Sequence, residues 1–159
     1  MNFLEKIPKP VALITVMENI MPCYNFIVLE EDPLLIGISV NTERFTHYLL
    51  NRSFDFGINF VDISHAGAIN YTGRTTGEHT NKFYGTKLTK KPAKHIRSYL
   101  IEESILSLEC TKKDKISFSE YTLFIGQVVN VESKNGEFKI PLAYDFRKYT
   151  YQSNEVIEF

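Results

Sequence analysis

The stretch Thr72-Gly73-Arg74-Thr75-Thr76-Gly77-Glu78-His79-Thr80-Asn81-Lys82-Phe83 places hydroxyls, two glycines and two cations between apolar segments, the composition of an anion cradle. Glycines let the backbone approach a ligand closely, and threonine hydroxyls and free backbone N–H groups donate to phosphate oxygens. Arg74 or Lys82 then supplies the opposing charge. A bound phosphate group is the chemistry this run favours; the alternative is a polar loop leading into a helix at Glu78. Other chemistries lack their residues. His47, His65, His79 and His95 sit in four separate segments, none at metal-ligand spacing from another His, Cys or carboxylate. No Gly-x-Ser-x-Gly elbow or Cys/His arrangement announces a covalent nucleophile. Gly-x-Gly-x-x-Gly and the Walker lysine loop are both absent, so any nucleotide is gripped in some other way.

The elements that must hold such a cradle are mostly strands. Aromatic residues make up 13% of the chain, with twelve Phe and nine Tyr, which fits a sheet-rich globular protein. A length of 159 residues predicts a single domain over 1–159. Eighteen basic against 19 acidic side chains leave no field that would draw the chain to nucleic acid or an anionic membrane. Cys23 and Cys110 are far apart and match no redox or metal spacing, and no apolar run approaches the roughly 20 residues of a membrane helix. With no signal-peptide core in Met1–Lys6, the expectation is a cytoplasmic protein.

Apolar, β-rich runs predict strands over 11–16, 24–29, 34–40, 54–60, 104–111 and 121–131. Glu30-Glu31-Asp32-Pro33 turns the second into the third, and Asn135-Gly136 predicts a hairpin or surface turn. Short helices are expected over 46–52, 63–71 and 78–84, with Ser64 and either Thr76 or Gly77 as starts of the last two. The basic connector 87–97 reads as a solvated loop, with attraction of a pyridine nucleotide as the alternative. The lack of regular strand–helix alternation argues against a doubly wound parallel sheet, and a closed antiparallel barrel with helical insertions fits better.

Several segments, in order, carry a resemblance: Pro8-x-Pro10-Val11-Ala12-Leu13-Ile14-Thr15, Asp32-Pro33-Leu34-Leu35-Ile36-Gly37-Ile38-Ser39, Arg44-Phe45-Thr46 before a helix, Phe54-x-Phe56-Gly57-Ile58-Asn59, and Thr76-Gly77 leading to Lys82-Phe83. Leu88-Thr89, Leu108-Glu109-Cys110, Tyr121 to Val128, Pro141-Leu142-Ala143-Tyr144 and Tyr149 continue it. Together they resemble the flavin reductase-like, or flavoredoxin-like, FMN-binding split-barrel family, over nearly the whole chain. That resemblance implies a mainly β fold with short helices, a six-stranded antiparallel Greek-key split barrel. It also implies a homodimer with FMN near the subunit interface.

The same resemblance implies an oxidoreductase in which NADH or NADPH reduces FMN and electrons pass to free flavin, an iron-containing acceptor or a redox partner protein. Arg44, Thr46, Thr76, Gly77 and Lys82 are then the phosphate-end residues. Asn25 and Asn41 fall where the family's flavin-facing segments lie. No catalytic side chain is assigned, because the cofactor carries hydride chemistry. The chain departs from the family between Asn25 and Pro33, where it is shorter and lacks the usual Ser- or Thr-bearing loop and second proline. Two alternatives therefore stay open: an FMN electron carrier without NAD(P)H reductase activity, or a barrel that has lost FMN and binds another ligand or partner.

Overall fold

The computed structural model describes residues 7–143, 148–151 and 156–159; the resemblance at Tyr144 and the expectation for Met1–Lys6 lie outside them. In chain order the elements are β1 (Lys9–Pro10), β2 (Ala12–Val16), β3 (Asn19–Cys23), β4 (Phe26–Glu31), β5 (Leu34–Asn41), α1 (Phe45–Arg52) and β6 (Asp55–Phe60). A 3-10 turn (Ile63–His65) leads into α2 (Ala66–Arg74) and α3 (Lys82–Thr86). There follow β7 (Lys90–Lys91), β8 (Leu100–Ile101), β9 (Leu106–Ser117), β10 (Tyr121–Ser133), β11 (Pro141–Ala143) and β12 (Tyr149–Tyr151).

One antiparallel sheet organises the molecule, with seven strands in the order β3-β2-β6-β9-β10-β5-β4. Register shifts between Ile125 and Gly126 and between Val128 and Asn130 interrupt the long β9–β10 ladder. Such bulges bend and twist a strand, which lets the sheet curl on itself. Its concave face encloses a core drawn from both ends of the strand order, including Ile14, Val16, Met21, Ile38, Phe56, Cys110 and Phe124, with Leu50 of α1 against it. The barrel is split, as the resemblance implies: β3 and β4 are the two ends of the strand order instead of partners. Seven strands replace the expected six, and two smaller sheets, β1-β11-β12 and β7-β8, lie beside them.

Side-chain alternation explains a second layer. Ala12, Ile14 and Val16 point into the barrel, while Leu13 of the same strand joins Ile20, Ile69, Phe83 and Leu88 on the outer side. Helices α2 and α3 are thereby bound to the backs of β2 and β3. Two expectations need correction. The helix foreseen over 78–84 is shifted to Lys82–Thr86, because Asn81, and not Thr76 or Gly77, caps it by accepting from Tyr84 N. The 87–97 connector is no free loop: the buried carboxylates of Asp55 and Glu109 bind its backbone N–H groups.

Candidate functional site

The first two residues of β3 are where four other segments meet. Asn19 Nδ2 donates to Thr46 Oγ1 in the first turn of α1 at 2.8 Å. Lys82 Nζ, from α3, donates to Ile20 O at 2.7 Å and to Thr72 O near the end of α2 at 2.8 Å. The loop between α2 and α3 lies over Asn19, so close that a Cβ on Gly77 would stand 1.9 Å from Asn19 Oδ1 and 3.3 Å from Phe45 Cδ1. Only a glycine fits that approach without displacing a neighbour.

Electrostatics point the same way. Arg44, the extended residue preceding α1, is exposed and forms no ion pair with a described residue. Burial, and after it the charge of Arg44, push the Lys82 ammonium down to about 8. Two cations therefore repel each other here, an arrangement that an anion relieves. Helix α1 is held in place by His47, whose Nε2 lies 2.8 Å from Thr122 Oγ1 and whose ring packs edge-on to Phe124. Burial, followed by the Lys115 charge, keeps that imidazole below its usual pKa.

Of the residues expected at a phosphate, Arg44, Thr46, Gly77 and Lys82 gather at this point, and Thr76 adjoins them, exposed, with Oγ1 accepting from Glu78 N at 3.3 Å. Asn41 is close in the chain but shapes the turn into α1: its Oδ1 accepts from Glu43 N and its carbonyl from Arg44 N. Asn25 stands apart between β3 and β4, where its Oδ1 accepts from Lys9 Nζ at 3.3 Å and its carbonyl from Ser39 N at 2.8 Å. Asn19 was not foreseen. The proline of Asn19-Ile20-Met21-Pro22-Cys23 disguises the strand that carries it; a polar residue between apolar Val16 and Ile20 was the one signal available.

Beside this meeting point runs a cleft of about 420 Å³. Val16, Phe45 and Leu49 form an apolar wall, and Glu18, Glu78 and His79 stand on the polar side. Its volume suits a ligand with a flat apolar body, and Asn19 and Gly77 join it to the meeting point. The protein's own thiols offer no nucleophile there, since burial pushes Cys23 up to about 11 and Cys110 up to about 12.

Comparisons with known proteins identify the family and the fold. The family model described as a flavin reductase like domain matches residues 4–153. An uncharacterized protein of Pyrococcus abyssi is 26% identical over 121 residues, which is 76% of this chain and 69% of that protein. The crystal structure of an FMN-binding protein from Thermus thermophilus with bound 1-cyclohex-2-enone superposes with a TM-score of 0.87 at 23% identity, covering 96% of this chain and 90% of that one. Flavoredoxin of Desulfovibrio vulgaris does so with a TM-score of 0.85 at 20% identity, covering 95% and 90%. At these identities the two structures speak for the fold, a mainly β antiparallel split barrel.

Proposed function

Since this chain belongs to the flavin reductase-like domain family, we propose that it is a single-domain cytoplasmic flavoprotein which binds FMN and accepts reducing equivalents from NADH or NADPH. The observation that carries this reading is the convergence of Thr46, Gly77 and Lys82 on Asn19 and Ile20, with the charge of Arg44 acting on Lys82. Those groups fit a phosphate monoester: an exposed guanidinium and a buried ammonium with one N–H to spare, under a loop whose glycine lets it close over Asn19. When bound, FMN supplies the redox chemistry. The chain's part is to hold the phosphate at Arg44 and Lys82 and to seat the flat ring against Phe45 and Leu49, away from water. A homodimer is part of the proposal, supported by the terminal strand β4, which exposes Ile27 (56%), Val28 (54%) and Leu29 (42%) beside unpaired backbone groups. Among the described residues no helix is long and apolar enough to cross a membrane.

Arg44→Ala tests the phosphate end. FMN affinity is expected to fall about tenfold, the loss of one charge-assisted contact, with riboflavin affinity unchanged because riboflavin lacks the phosphate. Flavin fluorescence titration measures both. Equal FMN affinity in the variant and the wild type would remove Arg44 from the site.

A second reading, an electron carrier that nicotinamides reduce slowly, is favoured by one feature: Glu18 and Glu78 beside the cleft repel the phosphates of a pyridine nucleotide. Anaerobic mixing of the FMN-loaded protein with NADH or NADPH separates the two. Bleaching of the flavin absorbance within seconds supports the reductase, and bleaching over many minutes supports the carrier.

A further inference from the structure

Two buried polar groups at the start of β3 are not explained by packing. Asn19 is 7% exposed, and its Oδ1 is sealed from solvent with no hydrogen-bond partner among the described residues. Thr46 is 2% exposed and receives the Asn19 amide at 2.8 Å. A threonine hydroxyl that accepts from an amide keeps its own proton for another acceptor, and no described residue takes that proton. Turning the Asn19 amide over would let the hydroxyl donate to Oδ1 and spend the proton inside the protein, but it would leave Nδ2 buried without an acceptor. The observed orientation instead leaves Oδ1 unsatisfied, an unfavourable state for a buried acceptor, and keeps a donor in reserve next to Arg44.

We propose that Asn19 is a positioning residue that sets the Thr46 hydroxyl as a hydrogen-bond donor to the phosphate of a phosphorylated ligand. This inference rests on reading the cluster as a phosphate site. Access to the pair requires the loop carrying Gly77 to lift, and its bonding allows that. Thr75 Oγ1 donates to Tyr71 O, Glu78 N to Thr76 Oγ1, His79 N to Thr76 O, and Tyr84 N to Asn81 Oδ1. All of these close within the loop or onto its flanking helices, so moving the loop off Asn19 breaks none of them.

The experiment is a double-mutant cycle of Asn19→Asp and Thr46→Val, read as the ratio of riboflavin to FMN dissociation constants by flavin fluorescence. In Asn19→Asp a carboxylate captures the Thr46 proton, and the ratio is expected to drop about thirtyfold, from the lost donor and the added charge together. In the Thr46→Val background the same change is expected to drop it only about threefold, the charge effect alone. A merely structural role for Asn19 would give the same drop in both backgrounds, and that result overturns the inference while leaving the FMN reading intact. A wild-type protein that binds FMN no better than riboflavin overturns the phosphate reading and this inference with it. Thermal melts confirm folding of each variant. If Asn19→Asp does not fold, Asn19→Ser takes its place: its hydroxyl is too short to reach Thr46, and, with no charge added, a drop of about tenfold is expected in the wild-type background and none in the Thr46→Val background.

Discussion

Glu109→Ala is expected to lower the stability of the protein by about 3–5 kcal/mol. The Glu109 carboxylate is wholly buried on β9, and it accepts from Lys94 N at 2.6 Å through one oxygen and from His95 N at 2.9 Å through the other. Asp55, on the neighbouring strand β6, accepts from Arg97 N at 2.9 Å and Ser98 N at 3.0 Å. The two acidic side chains therefore pin the basic connector to the barrel by its backbone, while Lys94, His95 and Arg97 remain exposed. Hydrogen bonds to a charged group contribute about 1.5–3 kcal/mol each, and alanine removes two of them along with the packing of the side chain. Urea denaturation with an unchanged slope and an earlier midpoint is the expected observation. Glu109→Gln keeps one acceptor and should lose roughly half as much. A midpoint for Glu109→Ala within error of the wild type would mean that the connector is held by something else.

Lys82 gives a second large effect, with a pH signature. Its folded-state pKa, about 8, lies below the ordinary lysine value of 10.5, so between those two pH values the unfolded chain carries a proton that the folded protein lacks. Stability must therefore rise as pH increases through that window, by up to about 3 kcal/mol, with no contribution to the slope below it. Lys82→Met abolishes the rise. It also leaves Ile20 O and Thr72 O without their donor, at a cost of about 2–4 kcal/mol near neutral pH. Binding of a phosphorylated flavin runs the other way, because only the protonated amine attracts the phosphate, so FMN affinity should weaken as pH passes about 8. Parallel pH profiles of stability for the wild type and Lys82→Met would show that Lys82 does not titrate in this window.

Much of the barrel was legible because its strands announce themselves locally. The apolar, β-branched runs at Ala12–Val16, Leu34–Asn41, Asp55–Phe60 and Tyr121–Ser133 need no partner to be recognised, whereas β9 was legible only as far as Thr111, because the charged Lys112-Lys113-Asp114-Lys115 that continues it to Ser117 has no strand pattern of its own. Strand β3 was hidden by Pro22, a residue ordinarily foreign to strands, which is tolerated here because β3 ends the sheet and pairs on one side only, with β2. The start of α3 was misplaced because Thr76, Gly77 and Asn81 are all acceptable caps by type, and only the observed bond from Tyr84 N to Asn81 Oδ1 selects among them.

The same division runs through the site. Arg44, Thr46, Gly77 and Lys82 could be singled out by residue type and by resemblance to a family, since hydroxyls, glycines and cations before helices are visible in a string of letters. Family membership and the antiparallel β character were likewise determined by sequence alone, through periodicity and the order of motifs. The tertiary structure decided that β3 and β4 are the two ends of the split barrel's strand order, that Asp55 and Glu109 lock the basic connector, and that Asn19 lies beneath the phosphate-end residues. Asn19 meets Thr46 across 27 positions, and Lys82 meets Ile20 across 62. Such contacts exist only after strands distant in the chain have paired, and neither propensity nor periodicity records them.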